Sequence, residues 1–338
     1  MTGRELVLRT LRQEEVERLP RQLWTVPYIQ MFRGDELSHY YKMYPSDFTG
    51  APGIKYGKSP YVKGEPHRIG QWVDDFGSRW TALEDGIAGE VKDPPIRTED
   101  DLDRYRLPVE MLDDIDCSGQ AQAYKETDDF VLAGSQVRPF ERMQFLRGTE
   151  QLYMDIATED PIFLRLLEML HEYNVRELKI LAAQAADGVT FMDDWGTQRS
   201  LLISPVVWRK YFKPMYKEYC KIIHAGGKYA FFHTDGNTES IFGDLIEIGV
   251  DALNSQLFCM DMERLGKQYA GKVTFWGELD RQHILPFGTE EEVRESVRRF
   301  GRALLTQGKR TGVIAELSWE TATPLSNVLA AYDELAKL

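Results

Sequence analysis

Residues 188–236 read GVTFMDDWGTQRSLLISPVVWRKYFKPMYKEYCKIIHAGGKYAFFHTDG, in which two short apolar runs, 188–192 and 228–232, flank a helical pattern. Neither run alternates apolar and polar residues, which is typical of strands that are covered on both faces. Between the runs, Ser204-Pro205 is a helix-start signal and Gly226-Gly227 is a helix-stop signal. The stretch therefore predicts a strand–helix–strand unit with parallel strands.

Similar apolar runs recur elsewhere in the chain. They lie at residues 130–133, 251–254, 273–276 and 312–315, and a weaker one lies at 23–26. Because helical patterns alternate with these runs, we predict a (β/α)8 barrel of the TIM type, whose remaining strand lies in the N-terminal part. The alternative is a doubly wound open sheet, but no GxGxxG motif follows any predicted strand.

Residues 30–125 differ from the rest of the chain. They are rich in Tyr, Trp, Gly, Pro and Asp and show little periodicity. We interpret them as loops and small helices that decorate the barrel mouth. Residues 1–338 are then a single domain, with regular βα repeats over 126–338.

The composition restricts the partners that the protein can have. With 41 Lys and Arg against 54 Asp and Glu, the net charge is −13, which disfavours nucleic acids and anionic membrane surfaces. The three cysteines are far apart and form no CxxC pair, as in proteins of a reducing cytoplasm. No window of about 18 apolar residues exists, and the first residues lack the apolar segment of a signal peptide. We therefore expect a cytoplasmic protein that binds a small molecule, alone or as a homodimer.

Polar side chains follow each predicted strand, where the catalytic residues of barrels lie. His233 is the most distinctive of them, since an imidazole there can ligate a metal or move a proton. The alternative is a buried histidine bonded to a neighbouring carbonyl group. Asp193 and Asp194 are adjacent, so only one of them can face the barrel axis. We predict His233, Asp194 and Glu278 as the catalytic residues.

Further residues at the same strand ends complete the predicted site. His233 and Asp235 point the same way on a strand and, with Glu316, could hold zinc or another divalent metal. The predicted substrate-binding residues are Asp193, Trp195, Gln198, Asn254, Gln256, Asp280, Arg138 and His283.

Several motifs occur in an order that resembles the uroporphyrinogen decarboxylase superfamily, whose members are (β/α)-barrels. The resemblance covers most of the chain and is strongest over residues 130–338. The motifs are Asp74-Asp-Phe-Gly77, Phe140-Glu-Arg142, Leu146-Arg-Gly148, Asp193-Asp-Trp-Gly-Thr-Gln-Arg199, Ile203-Ser-Pro205, Phe212-Lys-Pro214, His233-Thr-Asp-Gly236, Trp276-Gly-Glu-Leu-Asp280 and Thr323-Pro-Leu-Ser-Asn327.

The resemblance implies two chemistries. True uroporphyrinogen decarboxylases carry an N-terminal Met-Arg-Gln-Ala-Gly-Arg segment, whose arginines hold substrate carboxylates, and a C-terminal Gly-His-Gly. This chain has only Arg21 in the first region and Glu316-Leu-Ser-Trp319 in the second. The other branch comprises corrinoid-linked methyltransferases, which hold zinc with His-x-Cys and a distant Cys. Here His233 matches the first ligand, Asp235 replaces the nearby Cys, and the region of Glu316 replaces the distant one.

Carboxylates in place of thiolates make such a site harder, which favours an oxygen-bearing substrate over a thiol. The resemblance therefore implies a methyltransferase or demethylase that moves a methyl group between a small molecule and a corrinoid, carried by a partner protein, with or without a metal. One alternative is a decarboxylase (a lyase) acting on a carboxylated, porphyrinogen-like substrate. The other is a non-catalytic barrel that binds a small molecule.

Overall fold

The structure is a computed structural model that describes residues 1–338, apart from the side chain of Gln307. Eight parallel strands form one sheet, in the order β1-β11-β10-β9-β8-β7-β6-β2, and the other three form a small sheet. In chain order the strands are β1 (Arg21–Thr25), β2 (Phe48–Thr49), β3 (Gly70–Val73), β4 (Arg79–Ala82), β5 (Glu90–Asp93), β6 (Phe130–Gly134), β7 (Gly188–Met192), β8 (Tyr229–Thr234), β9 (Ala252–Ser255), β10 (Thr274–Trp276) and β11 (Val313–Trp319).

Helices alternate with the strands of the large sheet along the chain. In chain order they are α1 (Gly3–Leu11), α2 (Pro27–Phe32), α3 (Gly34–Met43), α4 (Glu99–Arg104), α5 (Glu110–Asp113), α6 (Gln120–Lys125), α7 (Pro139–Arg147), α8 (Thr149–Thr158), α9 (Pro161–Ala182), α10 (Pro205–Ala225), α11 (Glu239–Glu247), α12 (Met262–Tyr269), α13 (Ile284–Phe287), α14 (Glu290–Leu304) and α15 (Leu325–Leu335). None of these helices is both long enough and apolar enough to cross a membrane.

The large sheet is nearly closed into a barrel, which confirms the predicted TIM-type fold. The seam lies between β1 and β2, where the amide N of Asp47 donates to the carbonyl O of Arg21 over 2.9 Å. Both oxygens of the Asp47 carboxylate also accept from Arg18 at 2.6 Å. Asp47, the residue that precedes β2, thus links the two edge strands of the sheet, β1 and β2.

The barrel interior is filled by large side chains from alternate strand positions. Phe231, Trp276 and Ile314 pack there with aromatic residues of β2 and β6. Val7 of α1 belongs to the same cluster, and Arg4 of α1 pairs with Asp187, the residue before β7. The helix therefore covers the N-terminal ends of the strands, which leaves the C-terminal ends as the open face.

The helix start predicted at Ser204-Pro205 is confirmed, because its cap is local: the Ser204 hydroxyl accepts from the amide N of Val206 at α10. Other helices have similar local caps. The Asp160 carboxylate accepts from the amide N of Ile162 at α9, and Thr289 and Glu292 form a capping box at α14.

The N-terminal region departs from the interpretation of residues 30–125 as loops and small helices. It contains the eighth barrel strand, β2, and an antiparallel sheet of order β3-β4-β5. Asp74, between β3 and β4, accepts from Arg142 of α7 over 3.1 Å, with both side chains largely buried. The small sheet is therefore fastened to the barrel at the open face.

Candidate active site

Three predicted residues meet at the C-terminal ends of β7 and β8. We call Asp194, His233 and Asp235 the His233 cluster; one ligand atom from each lies within 4.8 Å of the other two. The Nε2 atom of His233 lies 3.6 Å from Oδ1 of Asp194 and 3.7 Å from Oδ1 of Asp235. The register pairs Met192 with His233, so strand geometry alone brings the two loops together. The cluster can hold a divalent cation or relay a proton.

Asn254, in β9, determines which nitrogen of His233 carries a proton. The Asn254 Nδ2 atom donates to the carbonyl O of Trp276 and to Oε2 of Glu316, so its Oδ1 must face His233. This Oδ1 lies 2.7 Å from His233 Nδ1, which therefore donates. In the neutral imidazole, the lone pair is then on Nε2, which faces Asp194 and Asp235.

Arg281 is a residue of the candidate site that the sequence analysis missed. Its Nη2 lies 2.5 Å from both carboxylate oxygens of Asp235, and its Nε and Nη1 each lie 3.2 Å from Glu278 and Glu320, respectively. One guanidinium thus faces three carboxylates at the rim of the His233 cluster. The residue comes five positions after the end of β10, and two of its three partners, Asp235 and Glu320, come from other loops.

Two further carboxyl groups lie beneath the cluster in a more buried layer. Burial raises the pKa of Glu278 to about 8, although Arg281 opposes the shift. Burial also raises the pKa of Glu316 far above its usual value, with Glu278 adding to the effect. The Oε1 atom of Glu316 has no hydrogen-bond partner among the described residues. Glu316, which we predicted as the third member of a metal site, lies behind Asn254 and outside the cluster, whose third side chain is Asp194.

Two glycines let the loops that carry the cluster touch through their backbones. A Cβ atom on Gly236 would lie 2.1 Å from the carbonyl C of Gly196, and Gly236 has a φ of +81°. The amide N of Gly196 donates to the carbonyl O of Asp235 over 2.9 Å, and the amide N of Asp235 donates to Asp194 Oδ1 over 2.9 Å. Only glycine permits this approach, which fixes the spacing of the two carboxylates.

Asp193 and Trp195 have supporting roles in the structure rather than the substrate contacts that we predicted. Both are fully buried. The Asp193 carboxylate accepts from the amides of Phe140 and Glu141 over 2.8 Å, which caps α7, and from the Tyr216 hydroxyl over 2.5 Å. Burial raises its pKa to about 7. As expected for adjacent positions, Asp194 then faces the cleft.

The remaining predicted residues separate into two groups. Gln256 accepts from the amide N of Gly236 over 3.0 Å and contacts Gln198 at 3.5 Å, so this pair supports the cluster loop. Asp280 instead accepts from the amides of its own turn, and His283 pairs with it at 3.3 Å while staying 75% exposed. These last two residues lie at the outer rim.

A cavity of about 540 Å³ opens at the seam of the barrel, where residues of β1 and β2 line it. Its lining includes Trp24 of β1, Trp276 of β10 and Tyr41 of α3. The ring centroids of Trp24 and His233 are 5.2 Å apart. A ligand in this cavity would therefore touch Trp24, whose ring packs against His233, although no residue of the His233 cluster lines the cavity itself. In the sequence, the weak strand pattern at residues 23–26 was the only indication of this wall of the cavity.

Arg138, the last predicted substrate-binding residue, lies at the start of α7. Its Nη2 atom is 2.7 Å from the sulfur of Met192, the residue that pairs with His233 across β7 and β8. Its nearest carboxylate partner, Glu141, is 3.9 Å away. Arg138 is therefore a cation at the open face without a close ionic partner of its own.

Comparison with solved structures supports the fold. A methyltransferase from Methanosarcina mazei is similar over 100% of this chain and 99% of its own, with a TM-score of 0.67 and 15% sequence identity. A glycosylated endo-β-1,4-xylanase of glycoside hydrolase family 10 from Gloeophyllum trabeum matches over 97% and 99%, with a TM-score of 0.47 and 10% identity.

At 15% identity, the likeness to the methyltransferase structure shows the fold alone, and the TM-score of the xylanase is too low to support even the fold. No curated protein matches the sequence. Residues 74–337 match the family described as uroporphyrinogen decarboxylase (URO-D), a range that begins within the small sheet and includes the barrel strands β6 to β11 and the last helix. The chain therefore belongs to the uroporphyrinogen decarboxylase family.

Proposed function

We propose that this protein is a methyltransferase of its family, which moves a methyl group between a small molecule and a corrinoid carried by a partner protein. The observation that carries the proposal is the His233 cluster, an imidazole nitrogen facing two carboxylates beside an aromatic cavity. Loss of a methyl group from an oxygen leaves an anion, which needs a proton or a cation at that point. The cluster can supply either one, because His233 Nε2 can carry a proton or bind a cation, but not both at once.

The donor atoms fit a divalent cation such as zinc. The neutral His233 side chain directs the Nε2 lone pair towards Asp194 and Asp235, while its Nδ1 donates to an amide oxygen, as in many protein metal sites. One nitrogen and two carboxylate oxygens suit a harder ion better than the thiolates of the related branch. A cation held by these three residues would supply Lewis-acid polarisation of the substrate.

The residues of the chain also provide a route for the proton. As the carbon–oxygen bond of a methyl donor breaks, the methyl group passes to the acceptor and the electron pair stays on oxygen. A proton on His233 Nε2 would neutralise that oxygen, with Asp194 and Asp235 within 3.7 Å to stabilise the charged imidazole. Asn254 keeps the ring in this orientation throughout.

The charge of the site argues against a porphyrinogen substrate. A tetrapyrrole with many carboxylates needs several free cations, but Arg281 is already shared by Asp235, Glu278 and Glu320. Incubation with uroporphyrinogen and analysis of the product tests this alternative, and decarboxylation there would reject methyl transfer as the main activity.

The proposal is tested by measuring methyl transfer to free reduced cobalamin over a panel of methyl ethers and methylated amines, together with metal content. We expect transfer from at least one donor and a decrease of at least about 100-fold in His233→Ala. His39→Ala is the matched control, since His39 is exposed on α3. Absence of transfer from the whole panel in the wild-type protein would contradict the proposal.

A further inference from the structure

A second cavity lies between the small sheet and α7. It has a volume of about 390 Å³, within the range of small-molecule sites, and we call it the Trp72 cavity. Ser135 and Gln136, which follow β6, line it together with residues of the small sheet. Because the C-terminal end of β6 belongs to the open face, this cavity lies on the same side of the barrel as the His233 cluster.

One wall of the Trp72 cavity is a row of four aromatic rings. Trp72 and Trp80 stack with centroids 5.4 Å apart and an angle of 12° between their planes. His67 lies next to Trp72 at one end of the row. Phe145 lies at the other end, with its ring centroid 4.8 Å from that of Trp80. A row of flat, half-buried rings provides stacking surface for a planar ligand.

The two arginines that line the cavity differ in how closely each is paired with a carboxylate. Arg142 is paired with Asp74 at 3.1 Å, with both side chains about 10% exposed. Arg138 is 30% exposed, and its partner Glu141 has its pKa raised to about 8 by burial and by Asp194. At 3.9 Å, Glu141 makes no close ion pair with Arg138, so the guanidinium has donors left to bind an anion.

The cavity also contains buried polar atoms that lack a partner within the described part of the chain. These are Nδ1 of His67 and Nε of Arg142. His67 has a φ of +61°, which is unusual for a residue other than glycine. The other carboxylate of the cavity, Asp75, has its pKa raised by burial and by Asp74, which weakens its repulsion of an anion. Unsatisfied polar atoms along an aromatic wall indicate a place for a ligand.

We propose that the Trp72 cavity binds the planar, carboxylate-bearing part of a small-molecule ligand, with its ring along Trp72 and Trp80 and its carboxylate on Arg138. Arg138 is the link to the active site, because its guanidinium also touches Met192, the strand neighbour of His233. Binding itself does not depend on the proposed methyl transfer. If this ligand is also the methyl donor, that role alone rests on the proposed function.

The test is binding of three matched probes, measured by calorimetry on the full chain. Benzoate has both the ring and the charge, benzamide lacks the charge, and cyclohexanecarboxylate lacks the flat ring. We expect benzoate to bind at least about tenfold more tightly than either of the others. Arg138→Gln should lower benzoate affinity about tenfold, and Trp72→Leu several-fold.

Arg199→Gln is the matched control, since Arg199 is exposed at the end of another strand and does not line this cavity. Melting temperatures separate misfolding from loss of binding. No benzoate binding up to about 10 mM, equal binding of benzoate and benzamide, or loss of binding in Arg281→Gln but not in Arg138→Gln would overturn the proposal. Benzoate binding without methyl transfer from any donor would instead leave this cavity standing and reject the proposed function.

Discussion

Asn254 shows how much of the site depends on one amide. It accepts from His233 Nδ1 and donates to the Trp276 carbonyl and to Glu316, so each of its polar atoms has a partner. An aspartate would add charge next to Glu316, and an apolar residue would leave His233 Nδ1 unsatisfied in a buried layer. Asn254 is therefore a positioning residue that acts through His233.

Asn254→Leu should lower the activity about 10- to 100-fold, as changes to the outer partners of catalytic histidines do. The loss of buried hydrogen bonds should also cost about 1–3 kcal/mol of unfolding free energy. The pH profile of kcat separates the two effects, because a purely structural loss would lower the curve without moving it. An unchanged profile would mean that Asn254 does not hold the His233 ring.

At the scale of elements, the sequence predicted the strands that carry a continuous apolar run. The strand predicted at 188–192 is observed at those residues, since the run is bounded by polar residues on both sides. The two-residue strand β2 could not be predicted, because its place depends on two hydrogen bonds of Asp47, whose amide N donates to Arg21 and whose carbonyl O accepts from the amide N of Phe130. Short, half-exposed strands such as β3 to β5 likewise lack a clear apolar pattern.

The residues of the candidate site differ in the same way: those placed by strands were predictable, and those placed by folded loops were not. His233, Asp194 and Asp235 were predictable because they end strands, and neighbouring strands fix their distance. Arg281 was not predictable from spacing, since it lies 46 residues from Asp235 and 39 from Glu320 and reaches them only through the folded loops.

The contact between Gly196 and Gly236 gives a prediction about the two loops. Gly236→Ala should destabilise the protein by about 1–3 kcal/mol and lower the activity, since its Cβ would push the Gly196 loop, and Asp194 with it, away from Asp235. Gly271→Ala is the matched control, because Gly271 has the same φ of +81° but open space around its Cβ position. Equal losses of stability and activity in both variants would show that backbone strain, and not loop contact, matters.

For the whole molecule, interior carboxyl groups make stability depend on pH. Burial raises the pKa of Glu141 and Glu278 to about 8 and that of Asp193 to about 7. The folded protein then binds more protons than the unfolded chain above about pH 5, so its stability decreases as the pH rises. Carboxyls with a lowered pKa, such as Glu263 at about 2, are already ionised in both states over this range. The buried carboxyl groups at one end of the barrel therefore determine how steeply the unfolding free energy decreases as the pH rises.

Glu141→Gln should flatten this slope between about pH 5 and pH 8. The glutamate pKa is raised in the folded state, so its stabilising contribution is complete below its unfolded pKa and is lost as the pH rises through about 8. Because glutamine does not titrate, the decrease of the unfolding free energy with rising pH should become smaller by about 1 kcal/mol per pH unit towards the alkaline end of this range. Urea unfolding at several pH values measures this decrease. Glu172→Gln, on the exposed face of α9, should leave the slope unchanged. If both variants keep the wild-type slope, Glu141 is ionised in the folded protein, and the positive charge of Arg138 is balanced within the chain.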